Sequence, residues 1–380
     1  MWFWYLTIIV GLVTVGYLAH LLHRKNVYLV IAAGARRKRV RYQGTKHVLF
    51  CLVDHFEPLW HRPDRDVALE RVRRWLVNYP RVVDRFRDNS GRTPQHSFFY
   101  PEEEYIPECL DMLATLRDKG FGDMEIHLHH DHDTSDAFRE KILNFKHTLH
   151  ERHGLLRVRR SDGNIEYGFI HGMSALDDSA GGGKWCGVKD EITVLKETGC
   201  YADFTFPSAP DITQPPIINR IYYATDDPLH PKSHHNGVDA GFGKTAEGDL
   251  LLITGPLAIN WHQRRGLVFP AIENADITRR NPPTPDRVDL WVKLGISVKG
   301  WPNWIFVKVH THGCQEKNSD LLLSDKIDPL YNKLLGSYND GQRYVLHFMT
   351  ARELYICVRA LESGDRQWIE RIENFDYTCL

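Results

Sequence analysis

The sequence predicts an α/β fold: a (β/α) barrel of seven or eight strands, regular or distorted, preceded by one N-terminal transmembrane helix. Three observations carry this. Short apolar runs alternate with stretches of helical period in one continuous series, which favours a barrel over an open doubly wound sheet. A charge-free segment long enough to cross a bilayer stands at the N-terminus. No strand is followed by a glycine-rich phosphate loop of the GxGxxG or P-loop type, which argues against a nucleotide enzyme.

Taken in order, Trp2 to Leu22 reads WFWYLTIIVGLVTVGYLAHLL, without a charged residue. As a helix it would rise roughly 31 Å at about 1.5 Å per residue, matching the hydrocarbon core. No basic segment precedes it and no small-residue cleavage site ends it, so a span is expected in preference to a signal peptide. Trp2, Phe3, Trp4 and Tyr5 suit the membrane interface. Arg24, Lys25, Arg36, Arg37, Lys38, Arg39, Arg41 and Lys46 follow. The positive-inside tendency then makes this a single-pass protein of the inner (plasma) membrane with its main domain in the cytoplasm. Membrane lipid is the expected partner of the basic stretch. Residues 1–23 are thus the anchor, 24–46 a basic juxtamembrane linker, 47–364 the barrel and 365–380 a C-terminal extension.

Strands are expected at His47 to Val53, His96 to Tyr100, Asp123 to His129, Glu166 to His171, Tyr201 to Phe206, Asp249 to Ile253, Trp304 to His310 and Arg343 to Phe348. Helices are expected at Asp66 to Phe86, Glu102 to Lys119, Ser135 to His153, Val188 to Thr198, Asp286 to Leu294 and Ala351 to Leu361. Pro207 to Gly248 shows no sustained period and reads as a long functional loop.

At 42% hydrophobic over 380 residues, the chain can build its core without staples. Lys plus Arg (48) balance Asp plus Glu (49), so the global charge gives no reason to expect a nucleic-acid partner. Seven cysteines without regular spacing fit a reducing compartment rather than a disulfide framework.

The chemistry gathers in MEIHLHHDHDT, Met124 to Thr134, with four histidines and three acidic residues. Strand alternation puts Glu125, His127 and His129 on one face, Ile126 and Leu128 on the other. In a barrel the polar face looks into the lumen, and catalysts sit at C-terminal strand ends. The same parity sends Lys308, His310 and His312 one way, Val307 and Val309 the other. The first strand ends in LVDHFEP, delivering Asp54, His55 and Glu57 to that rim. The fourth adds His171 and the fifth Asp203. Any one of these alone reads as an ordinary hydrogen-bonded or surface residue; their joint arrival at one rim points to a metal site. Mixed imidazole and carboxylate donors suit Zn, Fe, Mn, Ni or Co and disfavour Ca or Mg. Cysteine ligation is not expected, because no CxxC pair exists. In HHDHD, Asp133 reads either as a ligand or, with Thr134, as the cap of the next helix. SAGGGKWCG reads as a flexible turn or a substrate contact. Trp185, Tyr201, Trp261 and Trp301 suit sugar stacking and core packing alike.

A strand ending in Asp, a later strand reading Glu-Ile-x-x-His and a late strand ending in an apolar-x-His pattern resemble the polysaccharide deacetylases. That family uses a distorted (β/α) barrel and an Asp-His-His metal site. From His47 to Gly364 the chain also resembles uncharacterised, membrane-anchored members of the superfamily, in HLHHDHDT, CGVKDE and GCYADFTFPSAP. It departs where the family has two adjacent aspartates, here Asp54 and His55, and where it has two histidines four apart, here His129 and Asp133. The resemblance implies a metal-dependent hydrolase removing an N- or O-acetyl group from a glycan or lipid-linked sugar. It places the protein in envelope or exopolysaccharide biosynthesis, beside other proteins of that assembly. A divalent transition metal, Zn foremost, would be held by Asp54 and His129 with His127, Asp133 or His55. Glu57 or Asp131 would be the base and His310 or His312 the acid. His171, Trp185 and Asp203 would contact substrate. A glycoside hydrolase or lyase on the same barrel, or a noncatalytic assembly component, are the alternatives.

Overall fold

The computed structural model describes residues 2–24, 26–35, 44–244, 248–265, 269–374 and 376. The chain runs α1 (Trp2–Arg24), α2 (Val27–Ala35), β1 (Lys46–His55), α3 (Arg65–Val83), β2 (His96–Pro101), α4 (Pro107–Asp118), β3 (Gly122–Leu128), α5 (Ser135–His147), β4 (Arg157–Val158), β5 (Ile165–His171), α6 (Glu191–Thr198) and β6 (Cys200–Asp203). It continues with β7 (Ile221–Ala224), β8 (Val238–Asp239), β9 (Leu250–Ile253), β10 (Ala258–Arg265), β11 (Phe269–Glu273), α7 (Pro285–Leu294) and β12 (Trp304–Thr311). Then come α8 (Glu316–Leu322), α9 (Asp328–Tyr338), β13 (Tyr344–Phe348), α10 (Ala351–Ser363) and α11 (Arg366–Glu373).

All eight expected strands form, yet the expected barrel does not. They join one mostly parallel sheet of eleven strands, ordered β12-β1-β2-β3-β5-β6-β9-β7-β8, with β13 on β1 and β4 on β5. The sheet stays open because β7 turns antiparallel to β9, and β8 antiparallel to β7. That short hairpin ends the parallel series. Among the described residues the hairpin side meets the segment before β12 through an isolated bridge, Gly241 to Lys299, not a ladder. The hairpin lies inside the segment Pro207 to Gly248 read as a loop, where its four- and two-residue strands are too short to show a period.

Among the described residues no helix is long and apolar enough to cross a membrane. The expected transmembrane anchor, and the inner-membrane, single-pass localisation built on it, are corrected accordingly. Within the expected linker, α2 docks on the domain: Val30 is buried with Ala209 and Leu257. Asn26 Nδ2 donates to the carbonyls of Ile212 and Gln214, both at 3.1 Å. Lys25, Arg36, Arg37, Lys38, Arg39 and Arg41 lie outside the described residues.

The sheet is covered on both faces, so its central strands read as continuous apolar runs. Alternation along β1 sends Val48, Phe50 and Leu52 into the larger core with Trp75 of α3. Leu49, Cys51 and Val53 enter the other core with Phe99, Phe204 and Phe306. By the same parity β3 gives Met124, Ile126 and Leu128 to the larger core, leaving Glu125 and His127 for the opposite face. The helices obey local rules. α10 starts on a capping box between Thr350 and Glu353 and stops at Gly364, whose φ of 65° is the left-handed region that favours glycine.

Candidate metal centre

The C-terminal ends of β1, β3 and β12 meet around one carboxylate. Glu57, two residues past β1, is 3% exposed. Its Oε1 lies 3.2 Å from His129 Nε2 and 3.8 Å from His127 Nε2, while its Oε2 accepts from His312 Nδ1 at 3.1 Å. Two of these imidazoles are fixed from behind. His127 Nδ1 donates to the Ile170 carbonyl at 2.7 Å, and His129 Nδ1 donates to Glu103 Oε1 at 2.5 Å. Each ring therefore turns its Nε2 toward Glu57, the outer-shell arrangement that orients metal-ligating histidines. His127 Nε2 is buried and has no hydrogen-bond partner among the described residues. Two donors on one zinc, at about 2.0–2.1 Å and a tetrahedral angle, lie roughly 3.3 Å apart. The 3.2 and 3.8 Å separations are close to that. His55 completes the rim, its ring centroid 4.6 Å from His312 and 4.9 Å from His127.

The charges are strongly coupled. Burial works against an ionised Glu57, but His127, His129 and His312 outweigh it and hold the carboxyl well below its usual range. Burial likewise opposes a cationic His129, yet Glu103 and Glu57 push its pKa up to about 10. His312 is raised against burial by Glu57 and then Asp276. His55 and His310 go the other way, kept neutral by burial and then by the neighbouring His312 and Lys308 respectively. Without a metal, the protons on His129 and His312 balance the carboxylates. A bound cation would take the place of the proton on His129 Nε2.

No protein-family model matches this chain, and no curated protein matches it. The geometry carries the argument.

Among the described residues two groups have donor atoms all within 4.8 Å of one another and could hold a metal ion: Glu57, His127 and His129, and separately His130, His171, Cys186 and Glu191. The structure redistributes the expected site accordingly. Glu57, His55, His127, His129 and His312 do come together. His310 is half-buried beside them, its ring 6.2 Å from His55. Asp54 is not there. It follows Leu52 onto the opposite face, where His96 Nε2 donates to Oδ2 at 2.8 Å and the Gly313 N–H donates to Oδ1 at 2.6 Å. Strand parity already separates it from His55. Asp131 faces solvent, paired with His132 at 3.0 Å and accepting from the Trp185 N–H at 2.6 Å. Asp133 accepts from Lys141 Nζ at 2.7 Å, and Thr134 is the cap of α5, accepting from the Ala137 N–H. Trp185 is half-buried with Lys184 Nζ 3.8 Å over its ring. Asp203 is buried, its carboxyl pushed up to about 7 by burial while Thr205 hydrogen-bonds it. His171 belongs to the second group.

Four residues escape the sequence reading. Glu103 sits in the turn after β2, and Asp276 stands in register with His310 through an isolated bridge, so both side chains leave the same face. No periodic pattern marks either. Cys186 and Glu191 lack the CxxC spacing by which cysteine ligands usually announce themselves. The signal available was CGVKDE itself, a cysteine and a carboxylate five positions apart.

Proposed function

We infer that this protein is a metal-dependent hydrolase that removes an acyl group from a carbohydrate, with zinc as its metal. The observation that carries the reading is the convergence of Glu57 Oε1, His127 Nε2 and His129 Nε2, each imidazole aimed by a hydrogen bond from its far nitrogen. Those three atoms would hold the ion. Three protein donors with room for a further ligand is the pattern of catalytic rather than structural zinc. When bound, such an ion polarises an acyl carbonyl and lowers the pKa of water toward neutrality.

The chain's own residues supply the rest. His129 and His312 are each about one-third exposed, so the centre opens to solvent on their side. Asp276, whose carboxyl is raised by burial, would accept the proton of the attacking water. His312, whose pKa is raised, would give its proton to the departing alcohol or amine. The sugar half of the reading is supported by Trp60, whose ring lies 6.5 Å from that of His312, and by the resemblance to polysaccharide deacetylases. A glycosidase would need two carboxylates free to face the sugar. Here Glu57 and Glu103 are both engaged by His129.

The test is acetate release from acetylated sugar oligomers by the zinc-loaded full chain. Activity should be lost on chelation and in His127→Ala, and kcat should fall in Asp276→Asn and His312→Gln with metal retained. Acetate release by His127→Ala at the wild-type rate would overturn the assignment.

A further inference from the structure

The second buried group lies outside the reaction just described and asks for its own explanation. It is built from four segments: His130 just after β3, His171 at the end of β5, Cys186 in the glycine-rich loop and Glu191 at the first turn of α6. All four side chains are buried. His130 Nε2 is 2.8 Å from His171 Nε2 and 3.1 Å from Glu191 Oε1; His171 Nε2 is 3.3 Å from the same oxygen. Cys186 Sγ stands 3.4 Å from Glu191 Oε2.

Proton counting leaves a single imidazole proton among three converging acceptor atoms. His171 Nδ1 contacts the Gly172 carbonyl at 2.5 Å, so it must carry the ring's proton and leave a lone pair on Nε2. His130 Nε2 contacts His171 Nε2 at 2.8 Å and Glu191 Oε1 at 3.1 Å, so in the absence of an ion its proton sits between them, while Nδ1, 3.3 Å from Asp133 Oδ2, is buried without a hydrogen-bond partner. Moving that one proton to Nδ1 frees Nε2. Two imidazole lone pairs and a carboxylate oxygen would then converge within about the edge of a zinc tetrahedron. The N–H groups of Asp178 and Val188 point at Cys186 Sγ from 3.3 and 3.4 Å, as they would at a thiolate ligand, while burial and Glu191 raise the free thiol's pKa, so that an ion is needed to displace its proton.

We propose that His130, His171, Cys186 and Glu191 form a closed, structural zinc site. The donor set is chemically complete, two imidazoles, a thiolate and a carboxylate. A divalent ion with two anionic and two neutral ligands is neutral overall, which is what burial demands. On binding, the Sγ proton leaves to solvent and the Zn–S bond replaces S–H. The same loop shows what the ion would secure. Met173, Ser174, Asp177, Asp178 and Trp185 all have positive φ, between 47° and 65°, a conformation such residues adopt only when held. The loop also pairs with the histidine run, through His132 N–H to Gly183 O at 2.9 Å and Asp133 N–H to Cys186 O at 2.8 Å. Gly172 packs so closely on the His129 ring that a Cβ there would collide with it. The closed site therefore braces the open one without sharing a ligand, and it stands whether or not the hydrolase reading does.

Cobalt(II) alone, added to the chelator-stripped full chain, tests this. The Glu57 centre has no sulfur, and among the described residues Cys186 is the cysteine that stands within a group of metal donors, so a thiolate-to-cobalt charge-transfer absorption is expected from Cys186. The expected result is one cobalt with that band, complete loss of the band in Cys186→Ser, and full retention in Glu57→Gln. Cobalt uptake by the wild type without the band, no uptake beyond the Glu57 centre, or a band that survives Cys186→Ser would overturn the proposal. Should Cys186→Ser fail to fold, alkylation of the wild type followed peptide by peptide decides: zinc should slow modification of Cys186 at least tenfold, and equal rates with and without zinc would refute it.

Discussion

Replacing Asp54 by Asn separates the structure's account from the one the bare motif invites. If Asp54 were a metal ligand, the substitution would empty the centre and leave the fold largely alone. The structure gives the opposite expectation. Asp54 is fully buried, and both carboxylate oxygens are in use, by His96 Nε2 at 2.8 Å and the Gly313 N–H at 2.6 Å. A hydrogen bond to a charged group contributes about 1.5–3 kcal/mol, and an unsatisfied buried group costs about 1–3 kcal/mol. Asparagine keeps one acceptor for Gly313 but turns an N–H donor toward His96, so roughly 2–3 kcal/mol of stability should go. Gly313 leaves no room to relax, since a Cβ at that position would strike Asp54 and Trp75. At about 2.1 cal/mol/K of unfolding entropy per residue, a domain of this size should lose roughly 3–4 °C in Tm. Differential scanning calorimetry and elemental analysis on the same samples read both quantities. Asp54→Asn should melt earlier with zinc per chain unchanged. An unchanged Tm with zinc reduced would refute the reasoning.

Three further outcomes are expected. Glu103→Gln removes the carboxylate behind His129; because Glu103 is about one-third exposed the fold should hold, while zinc affinity of the open centre should fall about 10–100-fold in a competitive chelator titration. Arg287 and Glu273 form a fully buried bidentate pair, and Arg287 Nη2 also donates to the Asp276 carbonyl at 2.7 Å, so Arg287→Leu should cost about 3–5 kcal/mol in urea unfolding and lower kcat with it. At the other end of the strands, His47 is stacked on Trp304 and bonded to His347 at 3.0 Å, and burial lowers its pKa from 6.5 to about 4. The unfolded chain then takes up a proton that the folded one refuses, so stability is lost as pH falls from about 6.5 toward 4, by up to roughly 3 kcal/mol. Half-exposed Glu373, 4.0 Å away, is too distant to offset this. Chelator-treated His47→Gln should unfold in urea with a visibly smaller difference between pH 7 and pH 4.5 than the wild type; an identical difference would contradict the assignment.

What the sequence discloses follows from the range of the interactions involved. Each strand with an apolar run announces itself, because burial on both faces is written in consecutive residues such as Val48 to Val53. Parity then places His127 and His310 correctly, and the same rule, applied to β1, puts Asp54 on the wrong side for a ligand. Closure of the sheet is another matter. It depends on the polarity of β7 and β8, set by turns in a segment with no period. α8 and α9 also pass unseen, lying in a stretch after His312 for which no element was expected. The open centre is half legible: His127, His129, Glu57 and His312 stand in recognisable strings. Glu103 and Asp276 reach it from turns, and only the chain's path brings them there. The closed group is the least legible, since its four donors come from four segments and its cysteine has no partner cysteine nearby.

The most direct measurement is an anomalous difference map at the zinc absorption edge from crystals of the zinc-loaded chain. The account predicts a peak bounded by Glu57 Oε1, His127 Nε2 and His129 Nε2, lost in His127→Ala crystals. No peak there in zinc-loaded protein, or a peak on Asp54, would contradict it.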